Sequence, residues 1–452
     1  MEIKHYNVFV IGSGIAGQTA AEICAKSGLT VALSDKREFG GTCAIRGCDP
    51  KKLMMQFTNL VHQSKQLKGR GVSELPEIKW KSVQKFKSKF TKPVPQATEN
   101  DLNQLGINLY HQSPKFISES EVLVEGKTIS ADYFVIASGL VVRPLKMKGF
   151  ELLQNSDDIL NLKKIPKSAI FIGSGYVGME FCYMLSTLGC KVTMIEKTHK
   201  ALSQFDSYLV EKLVENLRKN GVDFIFEADP LSVEKLRKNY RVIYKRKGKT
   251  TSLKSRVVYN ASGRVPAIEL LELENADVMF DDSGVLVNDF MQSKSNPKVY
   301  ACGDVSSKSL PLTPLSGLQG HIAGYNIVHG NKKEFQNQLV PSVVFTHPNL
   351  ASVGFSEEEA NKHYKSIKMY KGDASDWYNA KKENTDVYAY KILVNERTNR
   401  IVGAHLLAAK AIETINILSM AIKNAMTVDD FKNQIFTYPS YSNDLKSMLA
   451  EK

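Results

Sequence analysis

The chain has 452 residues, 43% of them hydrophobic and 24% charged, with a formal net charge of +13. That length allows roughly two to four domains with sizeable cores, and the balance is that of a globular protein rather than a disordered or fibrous one. Six cysteines in so long a chain exclude a disulfide-stapled secreted domain.

The polar start from Met1 to Asn7 and the short apolar run Val8–Ile11 lack a signal core, and no run reaches the roughly 18 apolar residues of a membrane span. A cytoplasmic protein with no membrane partner is expected, where a working disulfide is catalytic or redox-sensing. The lysines are spread out, with two dense stretches. Lys79, Lys81, Lys85, Lys87, Lys89 and Lys92, with Phe86 and Phe90 four apart, predict an amphipathic helix with a solvated basic face. Lys235 to Arg256, around Tyr244-Lys245-Arg246-Lys247-Gly248-Lys249, predicts a hairpin turn. A solvated surface that steers anionic ligands is preferred over nucleic-acid binding.

In chain order, Val8-Phe9-Val10-Ile11 runs into Gly12-Ser13-Gly14-Ile15-Ala16-Gly17. A helical stretch follows, then Gly28, a second strand from Thr30 to Ser34, and Asp35. Such glycines permit a tight turn and close approach to a pyrophosphate at a helix N-terminus, while the acid accepts from a ribose hydroxyl. G-x-G-x-x-G alone is a weak signal; strand, helix, strand and acid together make it strong.

Next comes Gly40-Gly41-Thr42-Cys43-Ala44-Ile45-Arg46-Gly47-Cys48-Asp49-Pro50-Lys51-Lys52. In a straight helix this cysteine spacing separates the two Cα atoms by about 7.5 Å along the axis. A relaxed disulfide wants roughly 4.4–6.8 Å. Gly47 offers an irregular turn that closes the gap, and Pro50 suits the first turn of a helix, where a thiolate is stabilised. From the spacing alone, a redox pair and two buried unpaired cysteines both remain open. Arg46 and Asp49 place opposite charges by the pair.

The first unit then recurs. Ile170-Phe171-Ile172 leads into Gly173-Ser174-Gly175-Tyr176-Val177-Gly178, with Gly189, Val192 and Glu196 standing where Gly28, Val31 and Asp35 stood. Two dinucleotide folds are expected, with two dinucleotide ligands preferred over one ligand and a relic fold. Gly139 and Gly263 end apolar strands at matching exits, and Asp304 follows the apolar run Val299–Ala301. Leu312-Thr313-Pro314 opens a small-residue helix through Gly324. After about residue 336 the pattern changes. Val343–Thr346, Tyr388–Val394 and Ile401–Leu407 read as strands, and Ala408–Ala425 and Val428–Asn433 as helices. Cys24, Cys182, Cys190 and Cys302 read as core packing, and no zinc spacing or other metal site is present. His321 and His347 read as structural.

Together these motifs resemble the FAD-dependent pyridine nucleotide–disulfide oxidoreductases, which include glutathione reductase, dihydrolipoamide dehydrogenase and mercuric reductase. The resemblance is carried by the GxGxxG at Gly12, GGTCAIRGCDPKK at Gly40, GSGYVGME at Gly173, ASGRVP at Ala261, ACGD at Ala301 and FTHPNLASVGFSEEEA at Phe345. It implies an α/β fold with two Rossmann-like dinucleotide-binding domains, for FAD and NAD(P), plus a C-terminal α+β dimerisation domain. The expected boundaries are 1–148 and 267–335 for FAD, 149–266 for NAD(P) and 336–452 for dimerisation.

By the same resemblance Gly12, Gly14, Gly17, Asp35, Thr42 and Asp304 would hold FAD. Gly173, Gly175, Gly178 and Glu196 would hold the nicotinamide cofactor, and Gly41, Gly139 and Gly263 complete the cofactor-binding set. Glu196 predicts NAD(H) over NADP(H), with Lys197, His199 and Lys200 as the counter-signal. Cys43 would be the interchange thiol and Cys48 the flavin-side thiol, with Glu180 paired to Lys51 or Lys52. Electrons would pass from NAD(P)H through FAD and the Cys43–Cys48 disulfide to a small acceptor, with a low-molecular-weight disulfide as the first expectation.

The chain departs from the family's disulfide reductases at the C-terminus. Their His-Pro motif and later glutamate are replaced by Tyr438-Pro439 and Asn443. A histidine near pKa 6.5 shuttles protons at neutral pH, and a phenol near 10 does so poorly. Mercuric reductases share a tyrosine in this region, but the chain has no cysteine after Cys302. The alternatives are therefore a reductase of quinones, metal ions or other electrophiles, and a low-turnover FAD redox sensor or scaffold. A homodimer is expected.

Overall fold

A computed structural model describes residues 3–336 and 339–450. Residues 1, 2, 337, 338, 451 and 452, which fall in the expected 1–148 and 336–452 segments, lie outside the described residues. The chain divides into two compact units. One comprises Met1–Leu53, Gln84–Arg143 and Arg264–Asn337; the other comprises Met54–Val83, Pro144–Gly263 and Gln338–Lys452.

In the first unit, Val8, Phe9, Val10 and Ile11 are all buried, which an alternating half-exposed strand would not show. Such a run belongs in a parallel sheet covered on both faces. The strand Lys4–Ile11 indeed pairs in parallel with Val31–Ser34 on one side and Lys127–Ile136 on the other. Asn108–Tyr110 extends the sheet beyond Val31–Ser34, and Val299–Ala301 joins Lys127–Ile136, both in parallel. Glu121–Val124 and Lys115–Ser118 add an antiparallel edge. The helix Ile15–Lys26 leaves the central strand through the first glycine turn.

The second unit repeats the plan. Val222–Ile225, Lys191–Ile195, Ser168–Ile172 and Val257–Asn260 form a four-stranded parallel sheet, with the helix Tyr176–Thr187 following its glycine turn. Ala228–Lys235, Tyr240–Arg246 and Lys249–Ser255 form an antiparallel meander. Its expected hairpin closes at Lys247 and Gly248, both left-handed at φ 47° and 78°, which matches the twist of paired strands.

The C-terminal part of this unit is a five-stranded antiparallel sheet in the order Ser342–Val344, Asn349–Gly354, Arg400–Ala408, Ala389–Asn395, Ile367–Asp373. The helix Ala411–Lys423 covers it through Ala411, Ile415 and Leu418. Two of these strands go unread in the sequence. Ile367–Asp373 carries Lys368 and Lys371 at the sheet edge, where lysine guards against edge pairing and masks the strand pattern.

The helix Trp80–Thr91 forms as expected, but its faces are reassigned. It buries Trp80, Val83, Lys87 and Thr91, while Phe86 and Phe90 are 43% and 54% exposed and meet edge to face at 5.2 Å. The buried residues recur at helical spacing, and the phenylalanines lie off that face. Burial lowers the Lys87 pKa. No helix among the described residues is long and apolar enough to cross a membrane.

Candidate active site

The cysteine stretch folds as two helices, not one. Gly41–Arg46 is the first and Cys48–Gln66 the second. Gly47, at φ −131° and ψ −110°, breaks the run. A Cβ there would lie 2.8 Å from the Thr42 carbonyl oxygen, so glycine lets the turn close. The break replaces the long axial separation of a continuous helix with a turn that sets both sulfurs against the Thr313 hydroxyl.

Thr313, the first residue of the helix Thr313–His329, completes the group. Its hydroxyl donates to Cys43 Sγ at 3.0 Å and lies 3.7 Å from Cys48 Sγ. The thiols are driven apart electrostatically. The hydrogen bond from Cys43 lowers the Cys48 pKa to about 6, helped by Thr313, Lys51 and Lys52 against the cost of burial. Cys43 is pushed up by that same hydrogen bond, by burial and by the Cys48 and Asp49 charges. The reduced pair therefore holds its negative charge on Cys48, at the start of a 19-residue helix, and a proton on Cys43. Both terminal nitrogens of Arg46 turn to Glu38 Oε2, at 2.8 and 2.9 Å.

Cys43 lines a cavity of about 180 Å3 that also takes in Gly12, Gly14, Asp35, Thr42 and Asp304. The three fingerprint glycines do different work. Gly12 has φ +109°, and a Cβ on it would lie 2.3 Å from the Ala137 carbonyl oxygen. A Cβ on Gly17 would lie 1.9 Å from the Gly12 carbonyl, so this glycine seats the helix on its strand. Around Gly14 nothing lies within 4 Å, which leaves the helix start open to a pyrophosphate. Gly41 packs so closely that a Cβ would come within 2.5 Å of Gly14 Cα, holding the cysteine loop against the fingerprint. Gly139 also lines the cavity, at φ +69°. Asp304 accepts from Ser316 Oγ at 2.9 Å, and burial raises its pKa. This cradle fits an FAD dinucleotide.

The second fingerprint has the same division of labour. Gly173 has φ +99° and a Cβ position 2.5 Å from the Ala261 carbonyl oxygen; Gly178 abuts Ala261 Cβ; nothing lies within 4 Å of Gly175. Gly263 takes φ +110° at the strand exit. The acids also match. Ser13 gives its N–H and hydroxyl to Asp35 Oδ2 at 2.9 and 2.6 Å, and Arg37 N–H binds Oδ1 at 2.9 Å. Ser174 gives the same two groups to Glu196 Oε2 at 2.9 and 2.7 Å, and Thr198 N–H binds Oε1 at 2.9 Å.

Glu180 is buried on the helix Tyr176–Thr187 and accepts the Phe345 N–H at 3.0 Å. Nearby, His347 packs its ring 4.6 Å from that of His62, which lies 5.6 Å from the Tyr183 ring. Burial lowers both histidine pKa values, His62 to about 3 and His347 to about 4. Tyr438 is 74% exposed, ahead of the helix Tyr441–Met448, whose N-cap Ser440 accepts the Asn443 N–H at 3.1 Å. Sequence reasoning missed Thr313 and His62. The Thr-Pro dipeptide marks a helix start at Thr313 but not its sulfur partners, and His62 lies seven residues beyond Met55 on a partly buried helix.

Two family models match the chain. Pyridine nucleotide-disulphide oxidoreductase covers residues 6–320, and the dimerisation domain of the same enzymes covers 340–449. Among curated proteins, glutathione reductase of Burkholderia cepacia is 31% identical over 99% of both chains. Mercuric reductase of Lysinibacillus sphaericus is 29% identical over 98% of this chain and 82% of its own. Among solved structures, the Cu(II) complex of HOCl-induced flavoprotein disulfide reductase RclA from Escherichia coli superposes with a TM-score of 0.87 at 26% identity, covering 99% of both chains. The protein belongs to the pyridine nucleotide-disulphide oxidoreductases, a family of flavin-dependent reductases and dehydrogenases.

Proposed function

We propose that the protein is an FAD-dependent NAD(P)H oxidoreductase that delivers electrons through Cys43 and Cys48 to a small acceptor. The observation that carries this reading is Cys43 at the wall of the dinucleotide cavity, with Cys48 joined to it through the Thr313 hydroxyl, the Cys48 pKa lowered and that of Cys43 raised. FAD, when bound, supplies two-electron exchange between a nicotinamide and a thiol pair. Gly12, Gly14, Gly17, Asp35, Thr42 and Asp304 hold it; Gly173, Gly175, Gly178 and Glu196 hold the nicotinamide nucleotide, with NADH preferred. Two electrons and one proton convert the Cys43–Cys48 disulfide to a Cys48 thiolate and a Cys43 thiol. Lys51 and Lys52 stabilise the thiolate. The division into 1–148 with 267–335, 149–266 and 336–452, a homodimer and a cytoplasmic location belong to this reading.

Two acceptor classes follow from the Cys43 proton. A low-molecular-weight disulfide is attacked by a thiolate and releases a thiol, so it needs a base and an acid. A quinone, metal ion or other electrophile does not release a sulfur leaving group. The raised Cys43 pKa and Tyr438 in the family's histidine position favour the second class. A soft metal ion that binds both sulfurs deprotonates Cys43 itself. The mercuric reductase relative and the Cu(II) complex of RclA add support.

The test is a thiol count on purified protein before and after anaerobic NADH or NADPH, followed by an acceptor screen. Two new thiols, lost in Cys43→Ser, support the reading; none rejects it. Thiol formation without steady turnover on any disulfide, quinone or metal ion would indicate a sensor or scaffold.

A further inference from the structure

We propose that Lys391 is a positioning residue for the nicotinamide nucleotide: through Asp206 it fixes the loop that follows Glu196. The inference rests on the reading of Glu196 as the acid that meets the nucleotide ribose. Lys391 lies in the middle of the strand Ala389–Asn395, where Ala389, Tyr390, Ile392, Leu393 and Val394 are all buried, and it is itself only 4% exposed. Lysine is almost never buried without a partner. Its Nζ donates to Asp206 Oδ2 at 2.6 Å and to Glu357 Oε2 at 2.7 Å. Asp206 is buried as deeply as Lys391, while Glu357 is half in water. Burial works to lower the Lys391 pKa, and the two acids raise it overall. His405, opposite Lys391 in the strand register, adds no charge to the group. Its Nε2 faces the Phe355 carbonyl oxygen at 3.1 Å, its Nδ1 faces Ser352 Oγ at 3.0 Å, and burial lowers its pKa.

Asp206 stands at a junction. It is the N-cap of the helix Ser207–Lys219, accepting the Leu209 N–H on Oδ1 at 3.3 Å while Oδ2 takes Lys391. It also closes the loop 197–205 that leaves Glu196. That loop is hydrogen-bonded from end to end. The Thr198 hydroxyl lies 2.9 Å from Glu196 Oε1 and 2.9 Å from the Lys200 carbonyl oxygen. Lys200 Nζ donates to the hydroxyl of Ser207, the neighbour of Asp206, at 3.1 Å. The Leu202 N–H donates to the Ser174 carbonyl at 3.1 Å, which ties the middle of the loop to the second glycine fingerprint. The route from Glu196 to Lys391 is thus continuous, and every link lies in the second compact unit.

Plain structural glue is the competing account of this ion pair. Stability alone does not call for it, because taking two charges out of water costs about what their attraction returns, and apolar residues of similar volume hold a core as well. The same helix has a second clamp, further from the loop: Lys212 Nζ donates to Asp373 Oδ2 at 2.7 Å. The two clamps separate loosening of the helix from loosening of the loop.

Steady-state oxidation of NADH and NADPH by the holoenzyme, with ferricyanide as acceptor, tests this. Lys391→Met combined with Asp206→Asn removes the ion pair, leaves no unpaired buried charge and keeps a side chain that caps a helix. Its KM for NADH should rise about 2- to 30-fold, the range of a residue that acts through others, with kcat nearly unchanged and a smaller preference for NADH over NADPH. Lys212→Met should leave both KM values unchanged. An unchanged KM for NADH in the double variant overturns the inference. So does an equal rise in Lys212→Met, which would make any loosening of the helix sufficient, and so does an equal rise for NADH and NADPH, which would take Glu196 out of the route. If the double variant does not fold, Asp206→Asn decides alone, since Glu357 still pairs with Lys391 there. A raised KM for NADH with a smaller NADH preference supports the inference, and unchanged values overturn it. Wild type that oxidises neither nucleotide, or that prefers NADPH, overturns the reading of Glu196 and this inference together; a wild type that prefers NADH, with an unchanged variant, overturns the inference alone.

Discussion

The Thr313 hydroxyl donates to Cys43 Sγ at 3.0 Å while lying 3.7 Å from Cys48 Sγ, so one side chain touches both redox sulfurs. It lowers the pKa of each, behind the larger effect of the thiol–thiol hydrogen bond on Cys48. Thr313→Val keeps the shape and removes the donor. The Cys48 value, about 6 in the wild type, should rise by about one to two pH units, the worth of a hydrogen bond to a charged group. The rate of alkylation of the reduced protein by iodoacetamide, followed against pH, reads this directly. A midpoint that does not move would remove Thr313 from the thiolate's support.

Thr313 also shows where legibility in the sequence ends. The two glycine turns could be read from the chain because each glycine answers a local backbone demand: Gly12 and Gly173 a positive φ, Gly17 and Gly178 a close packing contact. Cys43 and Cys48 could be read because one broken helix brings them together. Thr313 and His62 could not, because their partners come from distant segments, and a lone threonine or histidine carries no spacing that predicts such a meeting. The charges misled more than the glycines did. Lys87 in a lysine-rich stretch suggested solvent but is buried.

The His62–His347 pair should make the protein acid-sensitive. Burial lowers both pKa values, to about 3 and about 4, from an unfolded value near 6.5. For a base with a depressed folded pKa, the unfolded state binds protons first. Stability is therefore fully present above about pH 6.5 and falls as pH drops toward 4. Between pH 7.5 and 5.5 each histidine should cost about 1.4 kcal/mol. Urea unfolding of wild type and His62→Phe at both pH values measures it. The variant should lose less stability on acidification; an equal loss would show that His62 is not held neutral by burial.

NADH should be used better than NADPH. The Glu196 carboxylate is fixed by Ser174 and Thr198 at the end of its strand, as Asp35 is by Ser13 and Arg37. Fixed there, it can accept ribose hydroxyls and repels a 2′-phosphate. The neighbouring cations are partly engaged: Lys197 with Asp229 at 3.1 Å, and Lys200 with Ser207 Oγ at 3.1 Å. The ratio of kcat/KM for the two nucleotides should favour NADH by about tenfold or more, one charge contact's worth, and Glu196→Gln should shrink it. An NADPH advantage in the wild type would instead assign Lys197, His199 and Lys200 to the phosphate.

The choice of acceptor turns on Tyr438. In the proposed dimer its exposed side chain approaches Cys43 of the partner subunit, where disulfide reductases of the family carry a histidine. Reduced Cys43 keeps its proton, because the Cys48 thiolate beside it raises its pKa. Attack on a disulfide requires that proton to leave, and a phenol is a poor acceptor for it at neutral pH. His347, the other histidine in reach of suspicion, is packed against His62 with its pKa lowered to about 4. A positioned acid–base group is worth about 10²–10⁴-fold. Wild-type turnover of small disulfides should accordingly be slow at pH 7 and rise toward pH 9, as more Cys43 ionises. Turnover of quinones or thiophilic metal ions should be faster at pH 7 and flatter with pH. Tyr438→His with Asn443→Glu should raise disulfide turnover at pH 7 at least about tenfold, within that range, while leaving quinone turnover nearly unchanged. Steady-state rates on disulfide and quinone panels from pH 6 to 9 decide it. Wild-type disulfide turnover near about 10³ s⁻¹ at pH 7, the upper enzymatic range, would mean that another group takes the Cys43 proton.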